Sequence, residues 1–363
     1  MDADGAKPVP PETLPGFDRE RFERHLKRSE YYLYPGPPAA FEVVHDRARA
    51  GLREIEIRFA SPLPSGRKQN DTATLRFFSP LSRPTSRAVV FLHGLGFARH
   101  RAWDSLPRAL ASRGFPTVSV SLPFLCERAT AGARPGHAYM STDAEIALPA
   151  YEQAVADTRA SLDWLLRESP CARTLCAGAA GPAIMGVSLG ALVSVIAAGI
   201  EPRFECVVPL LGGGDLDIIV FRGGFRTPVR RELSDARITI ENRRRARREY
   251  ENYLGAVRKA RHPLEVPPAF HFFLFDPLTF ASHLRSTPAL MVNAVLDPFM
   301  PRAAARQLWL ELGEPEISWF KGTHWVGGPW KPFVVARIAR FLGELKPGAT
   351  RVPTESFALP WKP

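Results

Sequence analysis

The sequence predicts an α/β fold: a mostly parallel central sheet with helices on both faces and an inserted cap or lid. Three observations support this prediction. Apolar runs alternate with segments of helical periodicity between residues 88 and 345. These runs are continuous, which is typical of strands buried on both faces of a sheet. This alternation of strands and helices is interrupted over 212–287, and this segment of about seventy-five residues is far longer than an ordinary loop.

The length of 363 residues allows one large α/β domain that carries an insertion. The first forty residues are rich in proline around one short helical candidate, 18–29, and are expected to form an extension on the domain. The chain is predicted to divide into an N-terminal extension (1–40), an α/β core (41–211 and 288–345), a cap or lid (212–287) and an irregular C-terminal tail (346–363).

The predicted elements follow in order along the core. Alternating polar and apolar residues predict half-buried, antiparallel strands over 52–60 and 72–78, with His45 before the first of them. Continuous apolar runs predict six further strands, and helical periodicity predicts the helices between them. The strands are 88–96, 115–124, 182–188, 204–211, 288–296 and 316–322; the helices are 103–113, 142–167, 190–199, 302–312 and one containing Val334 and Leu342.

Positive charge is concentrated in the insertion. The chain has a net charge of +11, and residues 221–262 contain thirteen Arg or Lys and five Asp or Glu, a net of +8. The run RRRARR (243–248) is typical of a solvated helix face, or of contact with an anionic surface. No recognised nucleic-acid-binding motif accompanies it, so we expect no nucleic-acid partner.

Composition and the first residues also indicate the cellular compartment to expect. No apolar run approaches the ~20 residues that span a bilayer. The first residues lack the basic and apolar regions of a secretory signal, so we expect a cytoplasmic protein. The four cysteines lack the spacing of a metal site and are too few to stabilise a fold of this size by disulfides. They are Cys126, Cys171, Cys176 and Cys206. We expect reduced cysteines, no metal and no cofactor, and the oligomeric state stays open.

Ser188 is the candidate nucleophile. It stands in GVSLG, residues 186–190, between a predicted buried strand and a predicted helix. In that context Gly-x-Ser-x-Gly is typical of a nucleophile elbow, a strained turn that displays the hydroxyl above the carboxyl edge of the sheet. Gly186 and Gly190 allow the strand and the helix to pack closely, and the helix directs its positive end at the site.

A serine nucleophile needs a base, and the base needs a carboxylate that orients it. Of the nine histidines, only His324 combines a position just after a strand with a position after the serine. We therefore predict His324 as the base. His93 follows a strand too, but a His-Gly pair at that place more often shapes the loop. The other histidines considered are His45, His100, His262, His271 and His283.

The candidate acid is Asp297, which follows the strand next in chain order to the one that bears His324. Asp215 and Asp217 hold the equivalent place one strand earlier and are competitors. Asp276, within the insertion, is a weaker candidate.

Acyl transfer also needs two backbone N–H donors for the developing oxyanion. The amide of Leu189, directly after the nucleophile, is one candidate donor. The loop HGLG (93–96) is flexible enough to turn inward, and Leu95 is our choice for the second donor.

Five phenylalanines lie within residues 270–280, just before the strand that carries Asp297. Either these rings pack the cap onto the core, or some of them line an apolar acyl pocket. The candidates for such a pocket are Phe270, Phe272 and Phe275.

The order HGLG, GVSLG, Asp297 and His324 resembles the α/β-hydrolase superfamily over roughly residues 50–345, the insertion excepted. The segments SLPF…ER…PG (121–136) and EQAVADTRASLDWL (152–165) look like bacterial esterases of the acetyl xylan esterase and dienelactone hydrolase type. The resemblance implies the α/β-hydrolase fold and the same nucleophile, base, acid and oxyanion donors. The basic insertion departs from the family pattern.

The expected function is hydrolysis of carboxylic esters by a metal-independent serine hydrolase, through an acyl-enzyme. The expected substrate is a small-molecule or lipid ester. Two alternatives stay open. The same triad supports acyl transfer or thioester hydrolysis, and an Arg-rich insertion on a non-catalytic scaffold could bind an acidic partner. Fold alone does not separate these activities.

Overall fold

The structure is a computed structural model, which describes residues 30–82, 84–85, 87–129, 136–141, 144–178, 180–224 and 240–351. The helical candidate over 18–29 and most of the predicted tail therefore lie outside the described residues. No helix in the described part of the chain is long and apolar enough to cross a membrane.

Within the described ranges, nine strands form one sheet. They are β1 (Phe41–Arg49), β2 (Leu52–Ala60), β3 (Thr72–Pro80), β4 (Val89–Leu92), β5 (Thr117–Val120), β6 (Ala183–Val187), β7 (Cys206–Leu210), β8 (Leu290–Ala294) and β9 (Glu316–Phe320). Their order is β1-β2-β3-β5-β4-β6-β7-β8-β9. The first three pairings are antiparallel and the remaining pairings, from β5 to β9, are parallel. The mostly parallel sheet is therefore confirmed.

Helices connect the strands. Those in the described chain are α1 (Lys68–Asp71), α2 (Ser105–Ala111), α3 (His137–Met140), α4 (Ala144–Arg167), α5 (Ala172–Ala177), α6 (Leu189–Ile200), α7 (Leu216–Arg222), α8 (Ile240–Val257), α9 (Leu278–Ala281), α10 (Arg302–Glu311) and α11 (Lys331–Glu344).

Helices cover both faces of the sheet, as predicted. Successive side chains of a strand point to opposite faces, and β4 shows the result. Val89 and Phe91 belong to an apolar cluster that includes α2 and α11. Val90 and Leu92 belong to a larger cluster that includes α4, α6 and α10. All four β4 side chains are buried, which explains the continuous apolar run in the sequence.

His45 precedes the predicted strand 52–60, which is β2, but it lies within an earlier strand, β1, that was not predicted from the sequence. β1 is an edge strand, and none of its side chains is fully buried. An exposed edge strand has no core-facing row of apolar residues, so it lacks the alternation by which β2 and β3 were predicted.

The segment between β7 and β8 contains α7, α8 and α9. The last part of this segment packs against the core: Phe273, Leu274 and Phe280 are fully buried in the larger cluster. A Cβ on Gly199 of α6 would lie 2.7 Å from the Cβ of Phe280. Residues near the end of the predicted insertion thus contribute to the main core, while the role of 212–287 as a cap stays a prediction.

Candidate active site

Ser188 occupies a sharp turn between β6 and α6. Its backbone has φ = 55° and ψ = −116°, a strained conformation that is typical of functional sites. The flanking glycines make room for the turn. A Cβ on Gly186 would lie 1.9 Å from the carbonyl oxygen of Gly190, and a Cβ on Gly190 would lie 2.2 Å from that of Leu92. Close backbone approach explains both glycines.

Two hydrogen bonds connect Ser188, His324 and Asp297. Ser188 Oγ lies 2.7 Å from His324 Nε2, and His324 Nδ1 lies 2.7 Å from Asp297 Oδ2. Because a carboxylate only accepts, Nδ1–H donates to it, and Nε2 is left to accept the hydroxyl proton of the serine. This arrangement suits a nucleophile, a base and an orienting acid.

The sheet explains why these residues meet. β6, β8 and β9 run parallel, so the segments that follow them lie at the same edge. Asp297 lies after β8 and His324 after β9. Asp297 Oδ1 accepts the backbone N–H groups of Phe299 and Met300, each at 2.9 Å. The side chain of Asp297 is only 2% exposed. Both of its carboxylate oxygens have hydrogen-bond partners, as buried polar groups normally do.

Asp215, the competing acid, follows β7 but has a different partner. Its side chain is buried, Oδ2 is bonded to the guanidinium of Arg247, and Oδ1 accepts the N–H of Ile218 at 3.3 Å. Asp217 lies in the first turn of α7. The structure thus joins Asp297 to the histidine and joins Asp215 to the Arg-rich helix α8.

Asp276 is buried beside Asp215. Its carboxylate accepts the backbone N–H groups of Asp215, Leu216 and Leu278, at distances of 3.1, 2.7 and 3.0 Å. Burial, followed by the charge of Asp215, raises the pKa of Asp276 to about 6, and the three backbone N–H groups oppose this rise. Asp276 therefore holds the start of α7 and does not contact the candidate base.

His93 has both ring nitrogens engaged. Its Nε2 accepts the N–H of Leu122 at 3.0 Å, so Nδ1–H donates to the carbonyl oxygen of Gly94 at 2.9 Å. Burial lowers the pKa of His93 to about 4, and Trp103 stacks on the ring with centroids 5.7 Å apart. A neutral imidazole with these partners fixes the loop after β4, as its His-Gly sequence suggested.

The other histidine candidates have different contacts. His100 bonds a serine hydroxyl of β5, His262 accepts a backbone N–H, and His283 donates to a backbone carbonyl. His45 lies on β1, and His271 is buried. Across the described ranges, no group of three or more His, Cys, Asp or Glu side chains is placed to hold a metal ion.

The loop after β4 lies against the turn of Ser188. A Cβ on Gly94 would lie 2.9 Å from the carbonyl oxygen of Val187 and 3.2 Å from Ser188 Cβ. Leu95 follows in this loop. Leu189 opens α6, and the first N–H groups of a helix have no partner within the helix. Both candidate donors thus belong to segments that adjoin the nucleophile, and their role at an oxyanion stays a prediction.

Phe270, Phe272 and Phe275 lie before β8 and contact other aromatic rings. Phe275 is buried and stacks on Tyr151 of α4, with ring centroids 5.1 Å apart. Phe270 and Phe272 stack on each other at 5.5 Å, and Phe272 is 38% exposed. Phe275 thus packs against α4, and the ring of Phe272 is partly exposed. The acyl-pocket role stays a prediction.

Sequence reasoning missed the apolar side chains beside the candidate acid and base. Leu296 and Phe299 flank Asp297, and Trp325 follows His324; their exposed fractions are 66%, 36% and 47%. Their positions could be read from the sequence, but their exposure could not, because large apolar residues near strand ends are more often buried.

Comparison with known proteins agrees with this architecture. A model of the alpha/beta hydrolase family matches residues 89–337. The acetyl xylan esterase of Paenibacillus sp. R4 is similar with a TM-score of 0.54 and 17% identity, over 84% of this chain and 89% of that chain. The acetyl xylan esterase of a Thermoanaerobacterium species has a TM-score of 0.52 and 14% identity, over 89% and 94%. At such identities the likeness concerns the fold. No curated protein matches the sequence significantly.

Proposed function

Because the chain belongs to the alpha/beta hydrolase family, we propose that it hydrolyses carboxylic esters through an acyl-enzyme. Ser188 is the nucleophile, His324 the general base and Asp297 the acid that orients it. The observation that carries this proposal is the pair of 2.7 Å hydrogen bonds that joins the three side chains at a strained serine. Similarity to two acetyl xylan esterases agrees with an ester substrate.

In acylation, His324 Nε2 takes the hydroxyl proton of Ser188 while Oγ attacks the ester carbonyl carbon. The carbonyl oxygen of the tetrahedral intermediate carries the negative charge, and the Asp297 carboxylate stabilises the imidazolium. The imidazolium then gives its proton to the leaving oxygen as the C–O bond breaks. The alcohol departs, and Ser188 is left acylated.

Deacylation repeats these steps with water. His324 Nε2 takes a proton from water while the water oxygen attacks the acyl carbon. When the second tetrahedral intermediate collapses, the proton passes to Ser188 Oγ and the carboxylic acid is released. Each proton taken by the histidine is returned, so the cycle ends with the starting enzyme.

The backbone N–H groups of Leu95 and Leu189 are the proposed donors to the oxyanion. Two observations support this choice: the loop that contains Leu95 packs against Ser188, and Leu189 begins α6, whose positive end faces the site. Donors held in place by packed backbone need no reorganisation as charge develops, which is why such sites stabilise the transition state strongly.

We place the acyl group against Phe270, Phe272 and Phe275. An apolar wall should favour longer acyl chains by up to ~0.8 kcal/mol per buried CH₂, or about fourfold per methylene. We expect kcat/KM to rise from acetate to butyrate or hexanoate esters, and truncation of the pocket-facing ring to flatten that rise. An optimum at acetate that no truncation alters would show that the rings serve packing alone.

Labelling with a fluorophosphonate tests the nucleophile. We expect Ser188→Ala to lose both the label and roughly 10³- to 10⁶-fold of the esterase activity. Ser194→Ala is the matched control, because Ser194 is a buried serine of α6, the helix that follows Ser188, and donates to the carbonyl of Ala191 at 2.8 Å. Labelling of Ser188→Ala at the wild-type rate would contradict the mechanism.

A second candidate function rests on the basic helix α8. Arg244, Arg245 and Arg248 are exposed, whereas Arg247 is paired with Asp215. The three exposed arginines suit an anionic surface or an acidic partner. Salt-sensitive binding of such a partner by a protein whose Ser188 is not labelled would favour a scaffold over an enzyme.

Acyl transfer and thioesterase activity use the same triad, and product analysis with added alcohols, amines or thioesters distinguishes them from ester hydrolysis.

A further inference from the structure

Three apolar side chains form a rim beside the candidate acid and base. This apolar rim consists of Leu296, Phe299 and Trp325, all of them substantially exposed. Scattered exposed apolar residues are normal on a protein surface, but adjacent ones are typical of a binding surface. Every member of the rim lies within two residues of Asp297 or His324.

The contacts of the rim show where it lies. The ring of Phe299 meets the imidazole of His324 nearly edge to face, with centroids 5.2 Å apart. Trp325 meets Phe97, in the loop after β4, at 5.5 Å and 64°. Phe97 in turn packs on Trp103 at 4.9 Å. The rim therefore extends from the Asp297 loop, past the histidine, to the loop that contains the proposed oxyanion donor.

The chemical steps of acyl transfer suggest which part of the substrate the apolar rim contacts. In acyl transfer the carbonyl oxygen points to the backbone donors, whereas the leaving oxygen must approach the imidazole that protonates it. The alcohol part of the substrate consequently approaches the imidazole of His324, whose ring Phe299 contacts. Acyl specificity is decided elsewhere, since the acyl group stays on Ser188 after the alcohol departs.

We propose that the apolar rim is the leaving-group site, and that the substrates are carboxylic esters of apolar, preferentially aromatic alcohols. This inference rests on the proposed ester hydrolysis. Phe299 and Trp325 offer broad, flat surfaces that pack well against another ring, and Leu296, which precedes Asp297 in the chain, adds exposed aliphatic surface. Partial burial of one phenyl ring of the substrate corresponds to about tenfold in kcat/KM.

Two acetate esters with alcohols of similar acidity test the inference: benzyl acetate and 2-methoxyethyl acetate. Both give the same acetyl-enzyme, so the alcohol affects acylation, which kcat/KM reports. We expect the wild-type kcat/KM to be about tenfold higher for benzyl acetate. Trp325→Ala should bring the ratio of the two kcat/KM values close to one, and Trp325→Phe should retain most of the preference.

Controls separate specificity from damage to the fold. Active sites are counted by fluorophosphonate labelling, so every rate refers to competent enzyme. Leu81→Ala is the matched surface control, because Leu81 is 59% exposed and follows β3, on the antiparallel side of the sheet. We expect it to leave both rates unchanged. A purely structural role for Trp325 would lower both rates equally and leave their ratio unchanged.

Three outcomes overturn the inference. The first is an equal kcat/KM for the two esters, and the second is a ratio that neither Trp325→Ala nor Phe299→Ala alters. The third is faster hydrolysis of an acetylated xyloside than of benzyl acetate, which would assign the rim to a sugar. In each case labelled Ser188 and measurable hydrolysis leave the proposed function intact. Absence of labelling and of hydrolysis of every ester would instead reject the proposed function.

Discussion

Asp215 and Asp297 follow neighbouring parallel strands, β7 and β8, and lie at the same edge of the sheet. Both side chains are almost completely buried. Asp297 bonds the imidazole of His324, whereas Asp215 bonds the guanidinium of Arg247. An imidazole can take up and release a proton near neutral pH, and a guanidinium stays protonated. The same side chain at equivalent positions is thus suited to catalysis in one loop and to anchoring in the other.

The largest expected contrast is in turnover. Asp297→Asn should lower kcat by about 10⁴, because an amide does not hold the imidazole tautomer that leaves Nε2 free to accept. Asp215→Asn should change kcat by less than tenfold, since Asp215 does not contact the histidine. Steady-state kinetics with one p-nitrophenyl ester measures both variants.

Circular dichroism of the two variants is the control for folding. The assignment of the acid would be wrong if Asp297→Asn turned over at nearly the wild-type rate while Asp215→Asn or Asp217→Asn was inactive. In that event the bond between Asp297 and His324 would be structural.

The next contrast is in stability. Arg247→Met leaves the buried Asp215 carboxylate without its charged partner, and we expect the free energy of unfolding to fall by about 3 kcal/mol, the lower end for a broken buried pair. The lower end applies because Arg247 itself is partly exposed. Arg248→Met, one residue along the same helix and exposed, should change it by less than about 0.5 kcal/mol.

Urea unfolding of Asp215→Asn, Arg247→Met and the double variant completes a mutant cycle. We expect the double variant to lose less stability than the two single losses added together, because both single changes break the same interaction. Additive losses would show that the two side chains do not stabilise each other.

The third buried carboxylate, Asp276, is tested by the pH dependence of the free energy of unfolding. Its pKa is raised to about 6 in the folded protein, so the folded state binds its proton more tightly than the unfolded state does. The stabilisation is fully present below the unfolded value near 3.8 and is lost as the pH rises through about 6. We expect Asp276→Asn to remove roughly 2–3 kcal/mol of this pH dependence.

Unfolding free energies at pH 4 and pH 7 measure the effect. Asp104 also has its pKa raised to about 6 by burial, and it titrates in wild type and variant alike, so the difference between the two proteins isolates Asp276. Parallel pH profiles for wild type and Asp276→Asn would contradict the raised pKa.

The smallest expected effect concerns the exposed arginines of α8. A triple variant with glutamine at Arg244, Arg245 and Arg248 should keep its stability within about 0.5 kcal/mol and its esterase activity unchanged. Thermal unfolding and ester turnover measure these properties. A large loss of stability would show that the exposed arginines also anchor the helix, and would end the contrast with Arg247.

The candidate site could be predicted largely because parallel strands bring their carboxyl ends to one edge. Ser188, Asp297 and His324 each follow an apolar run, and chain order was enough to place them together. The partner of Asp215 could not be predicted. Arg247 lies thirty-two residues further on, in a segment with many arginines, and pattern alone does not say which arginine turns inward.

Burial accounts for the remaining differences between sequence and structure. β4 and β6 are buried on every side chain and appear in the sequence as apolar runs. β1 was missed because its side chains are exposed and many of them are charged. The apolar rim was missed for the opposite reason. Leu296 and Trp325 have the composition of core residues, and only the packed structure shows that they face solvent.

The exposed edge strand β1 has a consequence for how molecules meet in concentrated solution. The outer side of an edge strand offers backbone N–H and C=O groups to which a strand of another chain can add. β1 carries the charged residues Asp46, Arg47 and Arg49, and Asp46 and Arg47 pair with Arg53 and Glu54 of β2. Joining two such edges would crowd these charges, so the pattern protects the molecule against aggregation. Neutral valines at positions 46 and 47 would convert the same edge into a nucleus for intermolecular sheets.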